Sequence, residues 1–173
     1  VSGILRTYRV NTSARTVEFF LDRDPKDPRF DLDQPYQRGV VWGLRRKQSL
    51  IKSILMGVPI PAIIINDRFE AGFRHPGYDQ DRRWAYAIVD GKQRVTAIQQ
   101  FVDNQFEVPY EWFYDDGAHQ RVRWHTLALP EQRKFRNQPL AVAVGQFPNL
   151  ELERELFDLI NFGGLTQGEV DDD

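Results

Sequence analysis

Cysteine is absent from this chain of 173 residues. Disulfides, thiol nucleophiles, iron–sulfur clusters and cysteine-based zinc sites are excluded with it, and the absence suits a reducing compartment. Histidine is scarce: His75, His119 and His125 are the whole supply. They form no H-x-x-x-H pair and sit beside no carboxylate triplet, so a metal-hydrolase centre is not expected and the sequence names no metal ligands. No apolar run approaches the 18 or so residues of a membrane span. No charged-apolar-small signal peptide opens the chain either. A soluble, cytoplasmic protein with no membrane partner is the expectation. Charge of one sign is also missing, since 23 Lys and Arg against 25 Asp and Glu leave a formal −2. A DNA-coating protein is excluded on that count, and nucleic-acid contact has to come from a local patch. Neither internal repeats nor low-complexity tracts interrupt the chain.

What remains is ordinary globular material. The 41% hydrophobic and 28% charged content rules out disorder and fibrous repeats. The length suits one domain, on a scale of roughly 100–200 residues per domain, with a core that needs no staple. Thr12-Ser13-Ala14-Arg15 before Thr16-Val17-Glu18-Phe19-Phe20-Leu21 reads as a short capped helix, ended by Pro25 and Pro28. Leu44 to Met56 reads as the clearest helix, with Leu50, Ile51, Ile54, Leu55 and Val58 inward and Gly57 as its C-terminal cap. Ala62 to Ile65 reads as a strand buried on both faces, and residues 68–83 as a surface loop. Trp84 to Val89 is a second strand, running into a helix whose Val95, Ile98, Phe101 and Val102 form one stripe. Phe106 to Val108 and Val122 to Trp124 suit short strands, and Pro130 starts a helical piece through Phe135. Leu140 to Val144 suits a further strand. Leu150 to Phe162 reads as a helix with Leu152, Leu156, Phe157 and Ile160 inward. Interleaved strands and helices give an α/β or α+β class with a small mixed sheet.

Three stretches carry chemistry. In Ile88-Val89-Asp90-Gly91-Lys92-Gln93-Arg94-Val95 a strand ends, a glycine turns the chain and a helix begins at once. The free N–H groups and positive dipole end of such a helix accept phosphate. Gly91 permits close backbone approach, Lys92 and Arg94 add charge, Gln93 is placed to orient a water or bridge phosphate oxygens, and Asp90 to hold a magnesium-bound water or act as a base. The plainer reading makes Asp90 the helix N-cap and Arg94 a solvated helix residue. The Walker spacing is absent. The second stretch, Tyr36-Gln37-Arg38 with Trp42, has the groups that grip a base or sugar–phosphate; alternatively Tyr36 and Trp42 pack inward while Arg38 pairs with Asp31 or Asp33. In the third, Ile160-Asn161-Phe162-Gly163-Gly164, the glycines either cap a helix or let the backbone approach a ligand. Arg45-Arg46-Lys47 is a solvated helix face or a DNA-backbone contact. Arg82-Arg83 and the terminal Asp171-Asp172-Asp173 read as solvated.

Taken in order, these pieces resemble the N-terminal domain of GmrSD-type, modification-dependent restriction enzymes, a family within the ParB/sulfiredoxin-like fold. The aromatic-Gln-Arg run and following tryptophan are matched by Tyr36-Gln37-Arg38 and Trp42. The helix and Pro-x-Pro strand entry are matched by residues 50–61, and the D-G-Q-Q-R signature by Asp90-Gly91-Lys92-Gln93-Arg94. The closing I-N-x-G-G is matched by residues 160–164, with Thr166 and Glu169 after it. The resemblance runs from about residue 12 to residue 170. It implies a nucleoside triphosphate, with Mg2+, as cofactor. It also implies NTP hydrolysis in phage defence and, as partners, DNA (modified or not) together with a nuclease domain or partner subunit. Carried over, Asp90, Gln93 and Arg94 are the hydrolysis group. Lys92, Gly91, Arg38, Asn161, Gly163 and Gly164 serve nucleotide and phosphate binding. Tyr36, Gln37 and Trp42 face DNA or a base; Arg45, Arg46 and Lys47, from their charge and not from the resemblance, are set with them as DNA contacts. Lys92 replaces the first glutamine of the signature; it supplies a point charge but cannot position water as an amide does, which makes turnover the property in question. The histidine motif of the C-terminal nuclease found in many relatives is not in the sequence, so a single-domain form or a fragment is expected. The rival readings are a non-catalytic ParB-like DNA-binding module, a regulatory domain with a decayed site, and cleavage by the domain itself, against which the lack of a metal cluster speaks.

Overall fold

A computed structural model describes residues 7–24, 26–76, 85–118 and 120–162. Its class is the expected mixed one. Five strands form one sheet in the order β1-β9-β5-β6-β4: β1 is Val10–Thr16, β4 Phe30–Asp31, β5 Ile63–Asp67, β6 Tyr86–Asp90 and β9 Pro139–Gly145. β9 runs parallel to β5 and β4 parallel to β6, while β1–β9 and β5–β6 are antiparallel. Among the described residues two short antiparallel pairs lie outside it, β2 (Arg23–Asp24) with β3 (Asp27–Pro28), and β7 (Val108–Pro109) with β8 (Arg121–Val122). Four α-helices among the described residues accompany the sheet: α1 Leu44–Leu55, α2 Lys92–Val102, α3 Leu129–Arg136 and α4 Leu150–Phe162.

β5 explains why both faces of the sheet are covered. Side chains alternate along a strand. Ile63 and Ile65 therefore enter the larger core with Ile51 of α1, Ile88 of β6 and Ile98 and Phe101 of α2. Ile64 turns to the smaller cluster of Val89, Phe147 and Leu156 beneath α4. An unbroken isoleucine run is what a strand packed on both sides requires.

Three expectations need correction. Residues 12–16 are not helical: they belong to β1, an edge strand paired over its whole length with β9 (Val10 opposite Gly145, Thr16 opposite Pro139). Thr12 and Ser13 cap nothing; Thr16 is extended, and only Val17–Leu21 coils, as one 3-10 turn that buries Val17 and Phe20. Val17 and Phe20 are three residues apart, a helical spacing that lasts a single turn, and the edge of β9 takes the polar stretch before it. Val58 and Ile160 are exposed rather than inward; Val58 lies beyond α1, which stops at Leu55. Trp124 begins a 3-10 turn instead of ending a strand. Trp84, Arg82, Arg83, His119 and residues 163–173 lie outside the described residues.

Candidate nucleotide pocket

The junction after β6 has the local form expected of it. Gly91 is the N-cap of α2, with φ 102°, a left-handed conformation that a Cβ disfavours. A Cβ there would also lie 3.2 Å from Ile63 Cγ1 and 3.2 Å from Arg94 Nη2. No side chain caps this helix, so its first N–H groups are left for a ligand or water. The plainer reading of the junction fails on both parts. Asp90 is not the cap, and Arg94 is not solvated: Arg94 Nη2 donates to Asp90 Oδ2 at 2.6 Å and to the Ala62 carbonyl at 3.2 Å. Arg94 Nε is buried with no acceptor.

The other two signature side chains are also engaged. Lys92 Nζ donates to Asp33 at 2.9 Å. Gln93 holds the segment between Gly39 and Trp42: its Nε2 donates to the Gly39 carbonyl at 2.7 Å, and its Oε1 accepts from Val41 N at 3.1 Å and Trp42 N at 3.3 Å. One amide thus satisfies three backbone groups of a loop with no ladder of its own.

The aromatic-Gln-Arg run lies across the end of the same strand. Gln37 Nε2 donates to the Ile88 and Val89 carbonyls at 2.7 Å each, and its Oε1 is buried without a partner. Tyr36 packs on Phe157 of α4 with ring centroids 5.3 Å apart, and its hydroxyl donates to Glu153 at 3.2 Å. Burial, then the neighbouring Glu153 charge, pushes the Tyr36 phenol well above its ordinary range. Arg38 is exposed, and neither suggested partner takes it: Asp31 pairs with Arg68 and Asp33 with Lys92. The Arg46 guanidinium lies 4.6 Å from the centre of the Trp42 ring.

These residues line one cavity of about 590 Å³: Tyr36, Gln37, Arg38 and Trp42 from the loop, Asp90, Gly91, Lys92, Gln93 and Arg94 from the junction, and Asn161 from α4. Arg45 and Lys47 do not line it, and Arg46 reaches it only through Trp42. Gly163 and Gly164 lie outside the described residues. Among the described residues no group of three His, Cys, Asp or Glu is arranged to hold a metal. The carboxylates at the cavity are Asp90 and Asp158, a donor set that fits Mg2+ bound chiefly through a nucleotide's phosphates.

Sequence reasoning missed two features. The first is α4's further share of the wall: Arg154, Phe157 and Asp158 join the expected Asn161, at i, i+3, i+4 and i+7, and all line the cavity. That spacing is one helix face, and it is visible in the sequence once its solvent-side residues are read as a surface. The second is the support under Tyr36. Arg68, assigned by sequence to a surface loop, is buried. It gives Glu153 two bonds of 2.8 Å, Asp31 one of 2.8 Å and Gln34 one of 2.6 Å. Asn66 adds a bond to Glu153 at 2.6 Å. No local pattern announces a pair 85 residues apart in sequence.

The family model described as GmrSD restriction endonuclease, N-terminal domain, matches residues 20–170. Comparison with curated proteins and with solved structures gave no match.

Proposed function

The chain belongs to the family of GmrSD restriction endonuclease N-terminal domains, and from that premise we propose that its cavity binds a nucleoside triphosphate and that occupancy gates DNA recognition or cleavage by a nuclease domain or partner subunit. The carrying observation is convergence: four cations (Arg38, Lys92, Arg94, Arg154), an uncapped helix N-terminus and the rings of Tyr36, Trp42 and Phe157 surround one cavity of about 590 Å³. That size falls in the range of about 300–1,000 Å³ usual for small-molecule sites. In this reading phosphate lies at the start of α2, where dipole and free N–H groups favour it. The base lies against the rings. Asp90, oriented by Arg94, is the carboxylate nearest the signature helix and Asp158 the second. Mg2+ bound with the nucleotide supplies charge neutralisation at the phosphates. The reading extends to a ParB/sulfiredoxin-like arrangement of a single domain and to a cytoplasmic setting; among the described residues no helix is long and apolar enough to cross a membrane.

Turnover needs more than this arrangement. The Gln93 amide is committed to residues 39–42 and Lys92 to Asp33, so hydrolysis in this reading awaits movement of that loop. The test is equilibrium binding and phosphate release with each common triphosphate and Mg2+, for the wild type and Asp90→Ala. Saturable binding at or below millimolar concentration is expected, with any phosphate release lost in Asp90→Ala. No binding of any triphosphate at millimolar concentration overturns the reading. Binding without release points to the Gln93 brace and the Lys92 replacement.

One observation favours a second reading, a DNA-binding module. Arg46 stacks on Trp42 at the mouth of the cavity, and Arg45 is exposed beside it. That reading requires nucleotide-free DNA affinity that falls with salt as counterions are released; affinity unchanged between about 50 and 200 mM salt contradicts it.

A further inference from the structure

The four cations at the cavity are not equivalent. Lys92 is balanced by Asp33 at 2.9 Å and Arg94 by Asp90 at 2.6 Å. Arg38 and Arg154 have no ion-pair partner among the described residues. They stand on different elements, Arg38 on the segment before α1 and Arg154 on α4, and both line the cavity. A guanidinium already matched to a carboxylate has to give up that pair before it adds to phosphate binding, whereas a free one offers its whole fork of donors.

We infer that Arg154, which the signature motifs leave out, is a polyphosphate-binding residue that works with Arg38 as the second arm of a clamp across the cavity. This rests on the reading of the cavity as a triphosphate site. The orientation of α4 supports it. Glu153, the preceding residue, is fully buried and tied to Arg68, Asn66 and Tyr36. That fixes the rotation of the helix about its axis and carries the stripe of Arg154, Phe157, Asp158 and Asn161 to the cavity. The stripe is a mixed one, with a cation, a ring, a carboxylate and an amide. Asp158 is unfavourable next to bare phosphate; beside Arg154 it suits a ribose hydroxyl or a phosphate-bound Mg2+. A nucleotide has parts for all four groups, and inorganic phosphate does not.

The experiment measures dissociation constants of ATP, GTP, AMP, GMP and inorganic tripolyphosphate, with Mg2+, by calorimetry. The proteins are the wild type, Arg154→Gln, Arg154→Lys and, as a charge control on the exposed face of α3, Lys134→Gln. Loss of a charged hydrogen-bonding partner weakens binding by about tenfold or more. That loss is expected for the preferred triphosphate in Arg154→Gln, with partial recovery in Arg154→Lys and little loss for the monophosphates. Lys134→Gln is expected to bind as wild type does. Because Arg154 is exposed, its melting temperature should not move, which separates a lost contact from a lost fold. Triphosphate affinity in Arg154→Gln within twofold of wild type overturns the clamp while leaving the pocket reading intact. A wild type that binds none of the five probes and no other common triphosphate overturns the clamp and the pocket reading together.

Discussion

At the scale of single residues, the backbone at Gly91 is constrained by local chemistry. Its φ of 102° disfavours any side chain, and a Cβ there would press on Ile63 and Arg94 at 3.2 Å. Gly91→Ala is expected to cost about 2 kcal/mol, or roughly 4–8 °C in melting temperature, measured by thermal denaturation; an unchanged melting temperature contradicts the strain argument. Tyr36 carries a pH signature. Its folded-state pKa is raised by burial and then by Glu153, so the folded state holds the phenol proton where the unfolded chain has lost it. The associated stability is fully present below about pH 10 and is lost as pH rises above it. Tyr36→Phe removes that dependence. Denaturant titrations from pH 8 to 11 should show wild type losing up to about 1.4 kcal/mol per pH unit relative to the variant above pH 10. Parallel curves would mean that the hydroxyl is not held as described.

At the scale of elements, the link between α2 and the segment before α1 runs through one amide. Gln93→Ala removes three hydrogen bonds to Gly39, Val41 and Trp42 while leaving the helix and the core in place. Hydrogen exchange at the Val41 and Trp42 amides is expected to rise at least tenfold, with protection of the α2 interior unchanged. Unchanged exchange at both amides would show that the loop is held by other means. Elements also mark where the sequence was legible. The helices α1, α2 and α4 and the strands β5, β6 and β9 follow from apolar spacing that reports burial directly. β1 does not: its residues are exposed on both faces, so no periodicity marks it, and only the edge of β9 makes it a strand. The wall contributed by α4 was hidden for a related reason, since Arg154 and Asp158 look like ordinary solvated residues until the cavity is seen.

At the scale of the whole molecule, a formal charge of −2 coexists with a cavity lined by four cations and two carboxylates. Overall composition excluded a DNA-coating protein and could not show this local concentration of positive charge. Order along the chain did better: Arg38, the group Asp90, Gln93 and Arg94, and Asn161, from three separate segments, meet at one cavity. What the order could not convey is which side chains are already engaged. Gln93, Lys92 and Arg94 have partners, because pairing depends on elements far apart in the chain. The buried Arg68–Glu153 pair beneath the site is likewise invisible without the fold. Removing one member of such a pair leaves an uncompensated charge and costs about 3–5 kcal/mol, so the support of the pocket and the stability of the molecule are joined there.

That this cavity is a nucleotide site is tested most directly by a crystal grown with a non-hydrolysable triphosphate and Mg2+. The base is expected against Tyr36, Trp42 and Phe157, and the phosphates between the start of α2, Arg38 and Arg154. A nucleotide bound elsewhere on the surface, or a cavity still empty of it at a concentration that saturates the protein in solution, would contradict the claim.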